Sequence, residues 1–235
     1  VSARSVPGSA FAPEAISIDA EAFSANGFRG IAVIYRTVYS RIMETTRDRI
    51  LEVAAAAFAA RGYEAVGVQE LCESSGITKP TLYYHFGSKE GLLAALFEGR
   101  FGGFNGRVAA AAAYPGTRRG DLAGVLLSTM GAFVDAARDD PDFARIRLSS
   151  AFCPPSSERY RVARPYLEAL YATIAAVFEA AALEHGNMAG RATPYAASFI
   201  GAADAYVSLF LAGDLDPDEG FLRRAVHYYM HGIFS

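Results

Sequence analysis

The chain contains only two lysines among its 22 basic residues, and both lie in the segment 76–90. Lys79 and Lys89 are ten residues apart, and the segment has no acidic residue before Glu90. Ammonium, hydroxyl, phenol and imidazole groups donate hydrogen bonds to the phosphate oxygens and base edges of nucleic acids. The segment therefore favours nucleic-acid binding, and its other donors are Thr78, Thr81, Tyr83, Tyr84, His85 and Ser88.

The residues before this segment predict two helices joined by tight turns. Apolar residues at three- and four-residue spacing predict a first helix that Thr46 caps and Gly62 ends. A short second helix is predicted over Val68–Ser75. Gly76 can take the left-handed conformation that the following turn needs. Together with the donor segment, these elements have the order of a helix-turn-helix domain.

The donor segment itself predicts a third helix and the start of a fourth. Thr78 is the expected N-cap of the third helix, and Pro80 lies in the first turn, where its missing N–H costs nothing. Leu82 and Phe86 are four residues apart and are expected to face inward, which leaves the donors on the outer side. Ser88 is the expected N-cap of the fourth helix.

This pattern resembles the DNA-binding domain of the TetR family of bacterial transcription regulators. The resemblance covers Thr45 to Phe97, and its motifs agree in order and spacing. It implies an all-α protein with a DNA-binding domain at 43–97 and a larger helical domain for effector binding and dimerisation at 98–235. The matching positions are Ile50, Ala57, Phe58, Gly62, Tyr63, 76–86 and 88–93.

The resemblance also implies how the donors would meet DNA. In this family the third helix enters the major groove, so Lys79, Pro80 and Thr81 are expected to approach bases. Tyr83, His85 and Lys89 are expected to contact phosphates. The full predicted DNA-binding set is Gln69, Thr78, Lys79, Pro80, Thr81, Tyr83, Tyr84, His85 and Lys89.

The second helix departs from the family pattern at its start. Family members usually have Thr or Ser there, whereas this chain has Gly67, which caps a helix but offers no hydroxyl to DNA. Gln69, in the first turn, is the residue that can reach a base or a phosphate instead. Residues 43–91 carry a net charge of −2, so binding must rely on local donors and helix N-termini, and we expect weak non-specific binding. Cys72 is expected to be a small buried residue.

Composition limits the other classes of function. The chain has 235 residues, 52% of them hydrophobic, which is enough for a small and a larger domain. Its two distant cysteines argue against a disulfide framework and suit a reducing cytoplasm. No apolar run is expected to be long enough to span a membrane. We expect no enzymatic activity, cofactor or metal, because no phosphate loop, nucleophile elbow or metal-ligand cluster is evident.

Residues 1–42 precede the recognisable domain, and residues 1–13 are rich in Ser, Ala, Pro and Gly, as disordered segments are. Three interpretations are open. The true start is Met43; or the segment is a flexible arm whose Arg29, Arg36 and Arg41 touch DNA; or it is a packed accessory helix.

The larger domain is predicted to contain five further helices and no strands. Pro and Gly residues separate the predicted ranges, which are 121–137, 141–150, 158–185, 193–213 and 217–233. The last two helices are apolar around much of their circumference and therefore need two partners, the domain core and a second subunit. The residues expected at this homodimer interface are Phe199, Ala203, Val207, Phe210, Phe221, Val226 and Tyr229.

The same domain is rich in aromatic residues that suit an apolar pocket with phenolic hydroxyls. Arg145 and Arg147 either meet an anionic ligand or face solvent, and Asp204 either hydrogen-bonds within the interface or points into the pocket. His227 and His231 have the spacing of a metal pair but lack an evident third ligand. The candidate ligand-binding residues are Phe104, Phe133, Phe143, Phe152, Tyr166, Tyr171 and Phe178.

The family resemblance and these patterns together predict a cytoplasmic repressor. A homodimer would bind a palindromic double-stranded DNA operator and leave it when a small apolar or aromatic effector binds. The alternatives are an activator or a ligand-independent regulator of the same fold, and a helical protein-interaction adaptor that has lost DNA binding. No membrane partner is expected.

Overall fold

Nine α-helices and one short 3-10 turn make up the regular structure of the computed structural model, which describes residues 45–113, 121–184 and 186–232. No strand occurs within these ranges, so the predicted all-α fold is confirmed. The open question about residues 1–42 lies outside the described residues. The predicted helix ends at His185 and Ile233 also lie outside them.

The first three helices are α1 (45–61), α2 (Val68–Ser75) and α3 (Lys79–Phe86). The prediction that Thr46 caps α1 is wrong, because the chain is already helical at residue 45 and Thr46 has no open helix end to cap. The stop at Gly62 and the turn at Gly76 are confirmed, with φ angles of +84° and +63° that only glycine adopts readily.

Two side-chain caps then set the direction of α3 and of α4 (Lys89–Ala111). The Thr78 hydroxyl accepts the Thr81 N–H at 3.4 Å, and the Ser88 hydroxyl accepts the Gly91 N–H at 2.9 Å. Both caps were predicted from the sequence. α3 buries Leu82 and Phe86, also as predicted, and its outer side stays open.

α4 is one continuous helix of 23 residues that crosses the predicted domain boundary at 97/98. It passes without a break through four glycines, the residue type after proline that is least favourable inside a helix: Gly99, Gly102, Gly103 and Gly106. Its buried side runs along its whole length, so one helix contributes to the cores of both parts of the chain; these residues are Leu92, Leu93, Leu96, Phe97, Phe101, Phe104 and Val108.

The five predicted helices of the larger domain are all present. They are α5 (Leu122–Asp139), α6 (Pro141–Ala151), α7 (Glu158–Ala182), α8 (Ala192–Ala212) and α9 (Glu219–His231). Acidic and hydroxyl side chains fix several of their starts by accepting backbone N–H groups. The capping residues are Asp121 for α5, Asp140 for α6, Ser157 for α7 and Asp218 for α9.

A cluster of aromatic side chains fills the centre of this domain, where α4, α5, α6 and α7 pack together. Phe101 is fully buried and stacks on Tyr166, with ring centroids 5.2 Å apart and an interplanar angle of 14°. Other pairs meet edge to face, the geometry that aromatic quadrupoles favour. We call this group the aromatic cluster; its members are Phe97, Phe101, Phe104, Phe133, Phe143 and Tyr166.

By length and composition alone, α8 is apolar enough to cross a membrane, so the prediction that no such run exists is wrong. The prediction counted uninterrupted apolar residues, whereas α8 keeps its apolar character despite Asp204. Asp204 is buried and ion-paired inside the domain, and Phe199 and Val207 are fully buried there. These contacts suit a helix that packs in the core of a globular domain.

Candidate nucleic-acid interface and effector cavities

The outer side of α3 presents the donors that the sequence singled out. Lys79 is exposed and makes no hydrogen bond or ion pair with any described residue. The hydroxyls of Thr78 and Thr81 lie 3.0 Å apart beside it. Tyr83 and Tyr84 are also exposed, Tyr84 to 71%. These side chains are therefore available to a groove that receives α3.

Gln69, in the first turn of α2, is exposed but engaged. Its amide nitrogen donates to the Glu73 carboxylate at 2.7 Å, one turn further along the helix. A base or phosphate contact would require the amide to exchange this carboxylate for DNA. The site thus holds one acidic neighbour that disfavours phosphate, consistent with the negative charge of the domain.

Lys89 points toward the α1–α2 turn in this structure. Its ammonium donates to the Tyr63 carbonyl oxygen at 2.6 Å and lies 4.1 Å from the centre of the Tyr63 ring. Burial lowers the pKa of this ammonium, although nearby carboxylates oppose the shift. A phosphate contact by Lys89 would require the ammonium to leave the carbonyl, so the residue has a structural contact in addition to its expected role.

The imidazole of His85 is also partly enclosed. Its Nε2 atom is buried and has no hydrogen-bond partner among the described residues. The ring lies against the rings of Tyr84 and Phe86 at 5.4 Å and 5.9 Å. A phosphate contact through Nε2 would therefore require the ring to turn.

Gly91 has a role that sequence reasoning missed, although it lies within the motif at 88–93. A Cβ atom at this position would lie 2.0 Å from the carbonyl oxygen of Phe86. The α3–α4 connection is therefore too tight for any side chain. The close approach of Gly91 to the Phe86 carbonyl fixes the direction in which α4 leaves α3.

The first turn of α7 contacts the helix-turn-helix region through three polar pairs. The Tyr63 hydroxyl donates to the Glu158 carboxylate at 2.7 Å. Burial is the main cause that raises the pKa of Tyr63, and the Glu158 carboxylate adds to it. The other two pairs are Arg159 with Glu64 at 3.4 Å and Arg161 with Glu90 at 3.3 Å. No local pattern predicts them, because the partners are far apart in sequence.

The seven predicted ligand-binding residues do not gather around one cavity. Four of them, Phe104, Phe133, Phe143 and Tyr166, belong to the aromatic cluster and pack against each other. Phe178 lines a cavity of about 340 Å³ with residues of α5, α8 and α9. Phe152 and Tyr171 line another cavity, of about 300 Å³, between α6, α7 and α8. We call the latter the α6–α8 cavity.

A buried ion pair forms part of the wall of the α6–α8 cavity. Arg147 donates to the Asp204 carboxylate at 2.6 Å, and both residues are largely buried. The guanidinium also lies 4.7 Å from the ring of Phe104 and 5.3 Å from that of Phe133. Of the two arginines considered from the sequence, Arg147 is thus buried at a cavity, whereas Arg145 is exposed and lies near Asp142.

The His227–His231 pair lies on the exposed side of α9, with ring centroids 4.8 Å apart. The two histidines and Asp121 line one shallow cavity, but the Asp121 carboxylate caps α5. Within the described ranges, no three His, Cys, Asp or Glu side chains are grouped so that they could hold a metal ion.

The predicted dimer residues divide into two groups. Phe199, Ala203, Val207 and Val226 are buried within the protomer, and Phe210, Phe221 and Tyr229 are half-buried. The opposite side of α8 is exposed and carries small and apolar residues at four-residue intervals, which places them in one row. We call this row the outer face of α8; it consists of Ala197, Gly201, Ala205 and Leu209.

Comparison with known proteins agrees with this geometry. The family model of bacterial regulatory proteins of the TetR family matches residues 50–96. YerO of Bacillus subtilis, an uncharacterised HTH-type transcriptional regulator, is 31% identical over 121 residues, 49% of this chain and 39% of that protein. The HTH-type transcriptional repressor KstR2 of Mycobacterium tuberculosis is 40% identical over 57 residues, which are 24% of this chain and 28% of the repressor. The chain therefore matches well under two thirds of the length of these relatives.

The similarity of fold extends further than the similarity of sequence. The transcriptional regulator FadR of Bacillus subtilis, solved in complex with stearoyl-CoA, aligns with a TM-score of 0.62 at 17% identity. The alignment covers 79% of this chain and 98% of FadR, so it includes the larger helical domain. At this identity the likeness shows the fold, while the matched helix-turn-helix carries the family assignment. The helix-turn-helix region at residues 50–96 therefore belongs to the TetR family of bacterial regulatory proteins, and the chain as a whole has the fold of solved TetR-type regulators.

Proposed function

We propose that the protein is a ligand-responsive transcriptional repressor that binds a near-palindromic DNA operator as a homodimer. The observation that carries the proposal is the outer side of α3, a capped helix on which Lys79 and Thr78 are exposed and the hydroxyl of the half-buried Thr81 lies 3.0 Å from that of Thr78. A helix of this kind can enter the major groove and donate to base edges. The matched repressor KstR2 supports the repressor assignment for the DNA-binding part.

Dimerisation follows from the shortness of α3. Eight residues reach too few base pairs for a specific site, so a second recognition helix is needed about 34 Å away. The outer face of α8 supplies a surface for a second copy, because Gly201 and Ala205 allow close helix approach and Leu209 adds apolar area. The partner we propose for this face is therefore the same face of a second subunit.

Lys79 and Lys89 are expected to differ in their effect on DNA recognition. Replacing Lys79 or Thr81 with Ala should change the preferred sequence, because each side chain faces the base edges. Lys89→Ala should weaken binding to all sequences about equally, through a lost phosphate contact, a displaced α1–α2 turn, or both. Selection from random DNA by the wild type and the three variants tests this. One common motif for all four proteins would refute the assignment.

We propose that the effector is a small, mostly apolar or aromatic molecule that binds in the larger domain. FadR, with the same fold, was solved with stearoyl-CoA, whose long acyl chain supports a ligand with an apolar part for this fold. The route to the DNA-binding helices would run through α4, which both parts share, and through the three polar pairs at the start of α7. The ligand would favour a conformation in which the two α3 helices no longer match successive major grooves.

Linkage gives this mechanism a quantitative test. An effector that releases DNA must bind the operator complex more weakly than the free protein, by the factor with which it lowers DNA affinity. Calorimetric titration of a candidate effector into free protein and into operator complex should therefore give two different dissociation constants. Equal constants would contradict the mechanism even for a tight ligand.

A further inference from the structure

We infer that the α6–α8 cavity binds a small carboxylate with an apolar or aromatic body, and that Arg147 anchors the carboxylate. This inference rests on the proposed function, because it names the chemical class and the site of the effector. The cavity lined by Phe178 lacks such an anchor, because no arginine of the described chain is among its lining residues.

The anchor is suggested by the unmet hydrogen-bonding capacity of Arg147. The residue is only 2% exposed, yet it carries five N–H donors, and its bond to Asp204 comes from the Nη2 atom. The Nη1 atom is buried and has no partner among the described residues. A buried donor without an acceptor is unfavourable, so an added acceptor would be strongly held.

The hydrogen bonds already made at the cavity wall favour an acceptor over a donor in the ligand. Asp204 is already matched by Arg147, and Glu168 at the cavity wall is matched by Arg164 at 2.7 Å. The unsatisfied group is thus a cationic donor, and a carboxylate is the planar acceptor that fits a guanidinium through two parallel hydrogen bonds. An amine would bring further donors and would leave the Arg147 Nη1 atom without an acceptor.

The cavity also fits the body of such a ligand. Leu167, Leu170 and Ile200 supply apolar wall, and Phe152, Tyr160 and Tyr171 supply rings. Phe152 is 86% exposed although it borders the cavity, so it has little packing of its own to lose by covering a ligand. A volume of about 300 Å³ lies at the lower end of ligand sites, which limits the body to about one ring with a short chain.

Binding at Arg147 would also act on the protein. Because Nη1 is covered here, a carboxylate can reach it only if the guanidinium turns or Asp204 moves. Arg147 lies on α6 and Asp204 on α8, so the ligand would change how these helices pack. The cavity residues Tyr160 and Arg164 lie on α7, whose first turn carries Glu158 and its bond to Tyr63.

The test uses phenylalkanoates with two to six methylene groups, each matched with the phenylalkylamine of the same length. They are titrated calorimetrically into the full chain without DNA. We expect carboxylates of at least one length to bind and the matched amines not to bind. In the double variant R147M/D204L the carboxylate affinity should fall roughly 10- to 100-fold, the usual worth of a charge-assisted hydrogen bond. This variant removes both charges, so no buried ion is left unpaired.

Arg145→Met is the matched control, because Arg145 is an exposed arginine on the same helix that does not line the cavity. Its carboxylate affinity should equal that of the wild type. If the double variant fails to fold, Arg147→Lys keeps a charge but loses the planar fork, and it should also bind the carboxylate more weakly. No carboxylate binding, amines that bind as well, or unchanged affinity in the Arg147 variants would each overturn the inference.

Failure of this inference and failure of the proposed function are distinguishable. If random DNA selection yields an operator but no carboxylate binds, the inference alone fails. If carboxylates bind through Arg147 but no DNA sequence is selected, the ligand site stands and the proposed function fails.

Discussion

A glutamate in place of Leu209 is expected to leave the protein monomeric and to lower its operator affinity roughly 100-fold or more, because one half-site remains bound at a time. Leu209 is 43% exposed on the outer face of α8. Leu209 is the largest side chain of the outer face, so in the proposed dimer the substitution brings one carboxylate from each subunit into a surface that would be dry. Folding should be intact, because the side chain does not reach the core.

Analytical ultracentrifugation and a DNA-binding titration with the selected operator measure the two effects. Leu183→Glu is the matched control, since Leu183 is another exposed leucine, 89% exposed at the end of α7 and away from this face. It should remain dimeric with wild-type DNA affinity. A dimeric Leu209→Glu protein would show that the second subunit packs elsewhere.

Replacing Phe104 with Ala is expected to lower the free energy of unfolding by about 3–5 kcal/mol. Phe104 is buried, and its ring lies 5.1 Å from that of Phe133 and 4.7 Å from the Arg147 guanidinium. Removing the ring would leave a void inside the aromatic cluster and would also take away one face on which the guanidinium rests. Denaturant unfolding followed by circular dichroism gives the difference.

Phe152→Ala serves as the comparison, because the sequence assigned both phenylalanines to the same pocket. Phe152 is 86% exposed, so its removal should change the free energy of unfolding by no more than about 0.5 kcal/mol. Similar losses for both variants would mean that Phe152 packs in solution in a way the structure does not contain. A small loss at Phe104 would mean that its ring borders a ligand space instead of filling the core.

The two experiments concern residues that look alike in sequence. Leu209 and Val207 both lie in the apolar run of α8, yet one is exposed and the other fully buried. Phe104 and Phe152 are both aromatic residues of the larger domain, with opposite burial. In each pair the helix register and the neighbouring helices decide which side chain is free to meet a partner or a ligand.

The sequence alone was sufficient for the helix-turn-helix region. Its signals act over a few residues: Thr78 and Ser88 cap the next turn, Gly62 and Gly76 allow left-handed backbone, and Leu82 and Phe86 repeat at helical spacing. Geometry of this range depends only on neighbouring residues, so it can be predicted from the sequence. The all-helical class could be predicted for the same reason. Thr46 is the exception, because residue 45 is already helical and Thr46 therefore cannot be the N-cap.

Only the tertiary structure decided how the larger domain uses its residues. Aromatic content predicted a pocket, but four of the seven rings pack on one another, because several helices bring them to the same centre. Arg147 and Asp204 are 57 residues apart and form a buried ion pair that no local pattern indicates. Tyr63 and Glu158, 95 residues apart, join the helix-turn-helix region to α7 in the same way. Contacts of this range depend on helix packing, which the spacing of apolar residues along one chain does not specify.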